Sequence, residues 1–387
     1  MRTAAEEARE TGFGEEHELL RASVRAFVAL EVAPHIDAWE RAGEVPRALH
    51  EKAGAAGILG IGFPEAAGGA GGDLFHTMVV VEELILGGGS SGLCAALLTH
   101  GVALPPILAA GDATHVQRWV RPTLAGHAIG ALAVTEPDTG SDVARIRTRA
   151  TRDGESYVVN GSKTFITSGA RADFVTTLVR TGGPGAAGLT LMVIEKDAPG
   201  FRVGRRLEKL GWWCSDTVEL SFEDARVPVA NRLGEEGTGF ARLMANFQTE
   251  RLFLAVQAYA TAQRCLDLSL RWARTREVFG SPLAEKQVIR HKLAEMARQT
   301  DVAREYVRAA ARRLQRGEEA AMHVAMAKNT AVEACRFVVH EAVQVHGGLG
   351  CMRESEVERH YRDARILSIG GGASEIMNEI IAKGLGL

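Results

Sequence analysis

Two stretches of this chain carry residue types that could do chemistry. The first is Ala131-Leu-Ala-Val-Thr-Glu-Pro-Asp-Thr-Gly-Ser-Asp142, an apolar run of strand character that ends in Thr-Glu-Pro before Gly140-Ser141-Asp142 turns the backbone. Proline fixes φ and removes a donor, while Gly140 can take conformations closed to other residues. Thr135 and Ser141 then present hydroxyls, together with free N–H groups, at the end of a strand. Such a turn suits a polar, partly anionic ligand better than a core; taken alone, it would also serve as a capped link between two strands. The second stretch surrounds Glu250, which falls at helical spacing with Leu243, Phe247 and Leu254. A carboxylate on an apolar stripe is desolvated, which raises its pKa and suits a proton acceptor working near neutral pH. The bland alternative is a helix acid paired with a basic residue elsewhere in the chain.

The bulk properties narrow the classes open to such groups. A chain of 387 residues is expected to form two or three domains sharing a large core. Its 45 basic and 48 acidic residues are interspersed and sum to −3, which leaves no footprint for nucleic acid or an anionic membrane. Cys94, Cys214, Cys265, Cys335 and Cys351 are scattered, with no C-x-x-C pair and no signal peptide ahead of them. Reduced thiols in a cytoplasmic protein are the expectation. Leu84 to Gly111 lacks any Asp, Glu, Lys or Arg and is long enough to span a bilayer. Its glycines, its Ser90-Ser91 pair and Pro105-Pro106 break that span, so two buried helices joined by loops are expected. His340 and His346 lie six apart, off any helical ligand spacing, and His323 is remote, so no zinc site is expected. Trp212-Trp213 read as cover for core or an interface.

The elements that must position these groups fall into three runs. Leu19, Leu20, Val24, Phe27, Val28 and Val32 recur at helical spacing, Pro34 ends that helix, and helical character returns from Phe75 to about Gly126. Between them, Gly57 to Glu65 and Gly68 to Gly72 form loops, with neither G-x-G-x-x-G nor a phosphate-loop G-K-[ST], so a Rossmann or nucleotide-hydrolase reading lacks support. From Ala128 to Glu236 the pattern is that of strands. Tyr157-Val-Val159, an Asn160-Gly161 turn and Lys163 to Thr167 predict a hairpin, and Phe174–Arg180, Leu189–Glu195 and Thr217–Phe222 predict further strands. From Gly239 the chain is helical, broken at Phe279-Gly-Ser-Pro282 and Gly347-Gly-Leu-Gly350, with a glycine turn from Ser368 to Glu375 before the last helix. The expected fold is mainly α with a central β domain, divided at residues 1–127, 128–238 and 239–387.

Taken in order, Pro64-Glu65…Gly68-Gly69, Val134-Thr-Glu-Pro…Gly140-Ser-Asp142, Gly161-Ser-Lys-Thr-Phe-Ile-Thr167, Lys209-Leu-Gly211…Ser215, Asn231-Arg-Leu-Gly234, Arg276…Phe279-Gly280, Gln287, Gln344…Gly347-Gly348 and Arg362-Asp-Ala364 resemble the acyl-CoA dehydrogenase family over essentially the whole chain. The resemblance implies a helical, β-barrel-like, helical architecture, FAD between the domains and a homotetramer built as a dimer of dimers. It also implies α,β-dehydrogenation of an acyl-CoA thioester, with electrons passed to an electron-transferring flavoprotein. Carried over by residue, Leu132 to Ser141 (with Val134, Thr135 and Gly140) would line the flavin. Phe165 would cover its ring and Thr167 would bond near N5. Arg276, Phe279, Lys286, Gln287, Gln344, Gly347 and Gly348 would reach the FAD of a neighbouring subunit. Ala373 departs from the family's usual threonine, beside Glu375 in the same cofactor turn. Many relatives carry their catalytic glutamate where this chain has Gly371, while the long-chain and isovaleryl types place it at the position of Glu250. Glu250 is therefore the expected base, with Ser141, Gln248, Arg251, Gly371 and Gly372 toward substrate. The same scaffold also serves flavin monooxygenases, dehydrogenases of carrier-bound or bulky acyl groups, and could serve a non-catalytic partner subunit.

Overall fold

The structure is a computed structural model and describes residues 12–387. It opens with α1 (Glu15–Glu31), α2 (Ile36–Ala42) and α3 (Arg47–Ala55). Val24, Val28 and Val32 are buried as their spacing requires, but Leu19 is 65% exposed, so the apolar stripe is narrower than expected. The next helix, α4 (Leu74–Leu86), begins at Asp73, whose carboxylate caps the N–H groups of Phe75 and His76. The uncharged stretch does not form two helices. It ends α4 and continues as α5 (Ser91–Leu97), α6 (His100–Ala103) and α7 (Pro105–Ala110), because Gly87 to Gly89 and the proline pair interrupt it. Among the described residues no single helix is long and apolar enough to cross a membrane; only a pair bent by 56° reaches that length and composition. The short helices α8 (Ala113–His115) and α9 (Arg121–Leu124) flank a π turn at Val116–Val120.

The central region holds an eight-stranded sheet of β1 (Gly130–Ala133), β2 (Arg149–Asp153), β3 (Ser156–Thr167), β4 (Phe174–Arg180), β5 (Leu189–Glu195), β6 (Phe201–Arg206), β7 (Thr217–Pro228) and β8 (Arg232–Leu233). Its order is β6-β7-β3-β2-β4-β5-β8, with β1 parallel to β4. The expected hairpin at Asn160-Gly161 is absent: β3 runs straight through it, and its register against β7 slips between Val159 and Gly161. Gly161 serves close approach rather than a turn, since a Cβ there would sit 2.7 Å from the Thr148 backbone. The actual hairpin joins β2 to β3 at Gly154, which has φ 59°. β2 and β6 leave no strand signal in the sequence because both are charge-rich and mostly exposed, without apolar alternation.

The Thr135–Ser141 turn closes on itself more than its composition suggests. Glu136 and Thr139 exchange N–H···O bonds of 3.0 Å, so these two N–H groups are not offered to a ligand. The Glu136 side chain turns inward and accepts from the amides of Arg147 (2.6 Å) and Thr148 (2.8 Å) and from Lys163 Nζ (2.9 Å). Lys163, wholly buried, also donates to the Val134 carbonyl at 2.9 Å, which pins the end of β1 to β3. Burial pulls the Lys163 ammonium down to about 8, against the pull of Glu136. Burial alone would raise the Glu136 carboxyl, yet Lys163 and the two amides hold it below its ordinary value.

The C-terminal part is α10 (Gly239–Thr275), α11 (Gln287–Gln315), α12 (Ala321–His346), α13 (Glu356–Leu367) and α14 (Ser374–Gly384). Both expected breaks are present. The first pairs β9 (Glu277–Val278) with β10 (Ser281–Pro282) around Phe279 and Gly280, and the second is a 3-10 turn at Gly347–Cys351. The 37-residue α10 packs on α4, α11 and α12, so it joins the N-terminal helices to the C-terminal bundle. Replacing Lys163 with Met should strand the Glu136 carboxylate and cost on the order of 3 kcal/mol. A thermal midpoint equal to that of the parent protein would contradict this role for the pair.

Candidate active site

Glu250 lies on the face of α10 that looks into a cavity of about 490 Å³. Phe253, Leu254, Leu98, Val81 and Thr167 are among its walls. The side chain is half-buried; its Oε2 is shut off from solvent and has no hydrogen-bond partner. No ion pair to it forms among the described residues, so the structural-acid alternative is not realised. Burial raises its pKa above the usual glutamate value, and the charges of Lys328 and Arg251 oppose that rise without cancelling it.

The carboxylate faces the turn Gly370-Gly371-Gly372 that precedes α14. Gly371 has φ 65° and Gly372 φ 102°, both in the region glycine favours. Three carbonyls of this turn are held by cations. Lys328 Nζ donates to Gly370 O and, at 2.6 Å, to Gly372 O, while Arg251 Nε donates to Gly371 O at 3.0 Å. Burial pulls Lys328 down to about 8, opposed by the Glu250 charge. A Cβ on Gly371 would stand 3.6 Å from Glu250 Oε1, 3.7 Å from Lys328 Nζ and 2.6 Å from Leu254 Cδ1. The two positions that alternate in the resemblance thus converge on one point in space. Among the described residues the Gly371 N–H donates to no acceptor.

A second cleft of about 680 Å³ adjoins the first, and Thr167 and Trp212 line both. Phe165 stands at its wall with φ 59°, and its ring is 67% exposed. Trp212, expected in core or at an interface, instead borders both cavities, its Nε1–H donating to Ser91 Oγ (2.9 Å) and its backbone N–H to Asp363 Oδ1 (2.6 Å). An uncovered aromatic face, a threonine hydroxyl shared with the acid's cavity, and a lining that sets Arg205, Arg206, Lys209, Arg362 and Arg365 beside Leu207, Leu210, Ile366 and Ile369 fit FAD, a flat ring system joined to an anionic pyrophosphate. Leu132 and Val134 lie at the end of β1. Thr135 is half-buried and accepts from Thr164 N–H at 2.9 Å, while Gly140 and Ser141 are exposed in the turn beyond.

Not every expected site residue joins this pair of cavities. Arg276, Phe279, Lys286, Gln287, Gln344, Gly347 and Gly348 line neither, and lie together on the outer surface of the C-terminal bundle. There the Arg276 guanidinium sits 5.8 Å from the Trp272 ring centroid, Trp272 stacks on His346, and Lys286 Nζ donates to Ser281 Oγ at 2.7 Å. Phe279 is fully exposed. Gln248 is half-buried outside the cavity, which instead takes Asn246 and Thr249 from that segment. Ala373 is the N-cap of α14 and makes no side-chain bond; Glu375 is exposed in its first turn. One group unread from the sequence, Glu16, His17 and His76, converges as metal ligands would. His17 Nδ1 accepts the Gly14 amide at 2.9 Å, however, and His76 Nδ1 donates to the Asp73 carboxylate at 2.8 Å, so both rings are already engaged at helix starts.

Residues 14–127, 131–225 and 237–386 match the N-terminal, middle and C-terminal domain models of acyl-CoA dehydrogenase. The chain is 40% identical over 380 residues to the mitochondrial long-chain specific acyl-CoA dehydrogenase of Sus scrofa, covering 96% of this chain and 86% of that protein. The crystal structure of a probable acyl-CoA dehydrogenase from Mycobacterium abscessus superposes with a TM-score of 0.95 at 61% identity, over 96% of this chain and 99% of the other. A glutaryl-CoA dehydrogenase from Mycobacterium smegmatis in complex with FADH2 superposes at 0.90 with 26% identity, over 96% and 95%.

Because the Lys328 charge lowers the Glu250 pKa, Lys328→Met should move the acidic limb of the pH–rate profile upward by about one unit. Lys328→Arg should leave it near the parent position. An unmoved limb in the Met variant would show that Lys328 does not act on the acid.

Proposed function

The chain belongs to the acyl-CoA dehydrogenase family, and on that premise we propose that Glu250 is its catalytic base. The family carries out FAD-dependent dehydrogenation of acyl-CoA thioesters, and this chain is an oxidoreductase of that class. The observation that carries the assignment is a carboxylate whose Oε2 is buried without a partner, set against a glycine turn in a cavity that Thr167 also lines.

The roles follow from what each group can do. With its pKa raised by burial, Glu250 accepts the proton from the carbon next to the thioester carbonyl. As that proton leaves, charge gathers on the thioester oxygen, and the Gly371 N–H is the donor available to it. Lys328 and Arg251 hold the carbonyls of the turn, which fixes the direction of that N–H. The apolar walls exclude water, which strengthens both interactions. Bound in the adjoining cleft, FAD would supply the acceptor for the β hydrogen and its electron pair, and the product would be a trans-2-enoyl thioester. Phe165 and Thr167 would hold the ring, Leu132, Val134, Thr135, Gly140 and Ser141 its polar parts, and Ala373 and Glu375 the adenosine half.

The surface group from Arg276 to Gly348 would complete the cofactor site of a second subunit, which implies a homo-oligomer, in line with a dimer of dimers. Residues 1–127, 128–238 and 239–387 would act as the three domains. An electron-transferring flavoprotein is the proposed acceptor, in the cytoplasm. Gln248 stays a proposed substrate contact only through its neighbour Arg251.

Anaerobic titration of the purified flavoprotein with acyl-CoAs of graded length and branching tests the reading. Stoichiometric bleaching by one class is the expected result. Product formation that requires oxygen and pre-reduced flavin would instead select monooxygenation, and absence of bound FAD would select a non-catalytic subunit.

A further inference from the structure

The proposed chemistry uses the middle of the 490 Å³ cavity and leaves one end of it unexplained. Gln257 follows Glu250 by seven residues on α10, which sets the two side chains ~20° apart around the helix and roughly 10 Å apart along it. It lines the cavity, is 9% exposed, and its Oε1 has no hydrogen-bond partner. Two nearby bonds fix its level. Tyr259 Oη donates to Glu82 at 2.5 Å and Arg264 Nη1 to Leu86 O at 2.9 Å, so α10 and α4 run alongside in the same direction. Gln257 therefore stands level with Val80 and Val81, two buried cavity walls.

An amide acceptor among apolar walls is unfavourable unless something meets it there. Asn246 Nδ2 is also without a partner, but it lies on the other side of Glu250. There α10 approaches the sheet, with Gly239 against Thr190 and Leu191, so Asn246 lies toward the start of the helix and away from the Gln257 end. No Lys or Arg lines the cavity, and its His100 is kept neutral by burial, lowered to about 4, with Nε2 bonded to Leu59 O at 3.0 Å. An anionic tail would find no counter-ion, whereas a neutral hydroxyl could donate to the free Oε1.

We propose that Gln257 is a specificity residue that recognises a hydroxyl on the acyl chain roughly 10 Å beyond the reacting carbons. The substrates are then hydroxylated acyl-CoA thioesters of medium length. The inference rests on the acyl-CoA reading of the same cavity. A site built to bond a hydroxyl discriminates strongly against the analogue that lacks it, because the amide is then left bare.

The test compares kcat/KM for decanoyl-CoA and a series of hydroxydecanoyl-CoAs in which the hydroxyl is moved inward from the ω-carbon. The parent enzyme should favour one member of the series over decanoyl-CoA by about tenfold or more. Gln257→Leu should remove that preference, chiefly by gaining on decanoyl-CoA. Gln257→Met, of similar length, guards against misfolding and should behave like the Leu variant, with FAD content as the check. Equal rates across the series, unchanged in both variants, would overturn the proposal while decanoyl-CoA turnover left the dehydrogenase reading standing. Failure of every acyl-CoA to bleach the flavin would overturn both.

Discussion

One oxygen of a half-buried carboxylate is kept out of water without a partner, and much of the site is arranged around that fact. An ionised glutamate in an apolar wall is unfavourable by several kcal/mol, and a protein normally relieves this with an ion pair. Here the nearest cations, Lys328 and Arg251, are committed to the carbonyls of the Gly370–Gly372 turn. Their charge reaches Glu250 without a direct bond, so the acid is moderated and not quenched. The same two side chains thereby shape the turn and tune the base. Glycine at position 371 follows from that crowding: its φ is positive, and any side chain would press on Leu254 beside the acid.

The rest of the fold supplies rigid edges around this point. The long α10 brings Glu250 between the N-terminal helices and the C-terminal bundle. The buried Lys163–Glu136 pair ties the end of β1 to β3, the strand that carries Phe165 and Thr167. Thr167 and Trp212 are shared by the two cavities, so the acid and the flavin cleft meet across them. The base comes from the helices and the cofactor contacts from the sheet.

Much of this was legible in the sequence, for physical reasons that differ by element. β4 and β5 were found to the residue because both of their faces are buried, which leaves continuous apolar runs. The Asn160-Gly161 pair misled because its composition fits a turn, while the tertiary need was for a strand without a Cβ beside Thr148. Glu250 stands out as an acid on an apolar stripe only once the family resemblance pairs it with Gly371; the stripe alone fits a structural ion pair as well. The clamp was not legible, since Lys328 acts on carbonyls more than forty residues away in sequence. Trp212 gave no signal beyond its size, because its place between the cavities depends on Asp363 and Ser91. Gln257, by contrast, interrupts the buried run Ala255 to Ala262 and could have been singled out.

The most direct measurement is the anaerobic rate at which an acyl-CoA bleaches the bound flavin in Glu250→Gln, read beside ligand binding to the same variant. The account predicts that FAD content and acyl-CoA binding persist while the rate falls by roughly a thousandfold or more, as expected when the group that accepts the proton is lost. Bleaching at the parent rate would show that some other group removes the proton.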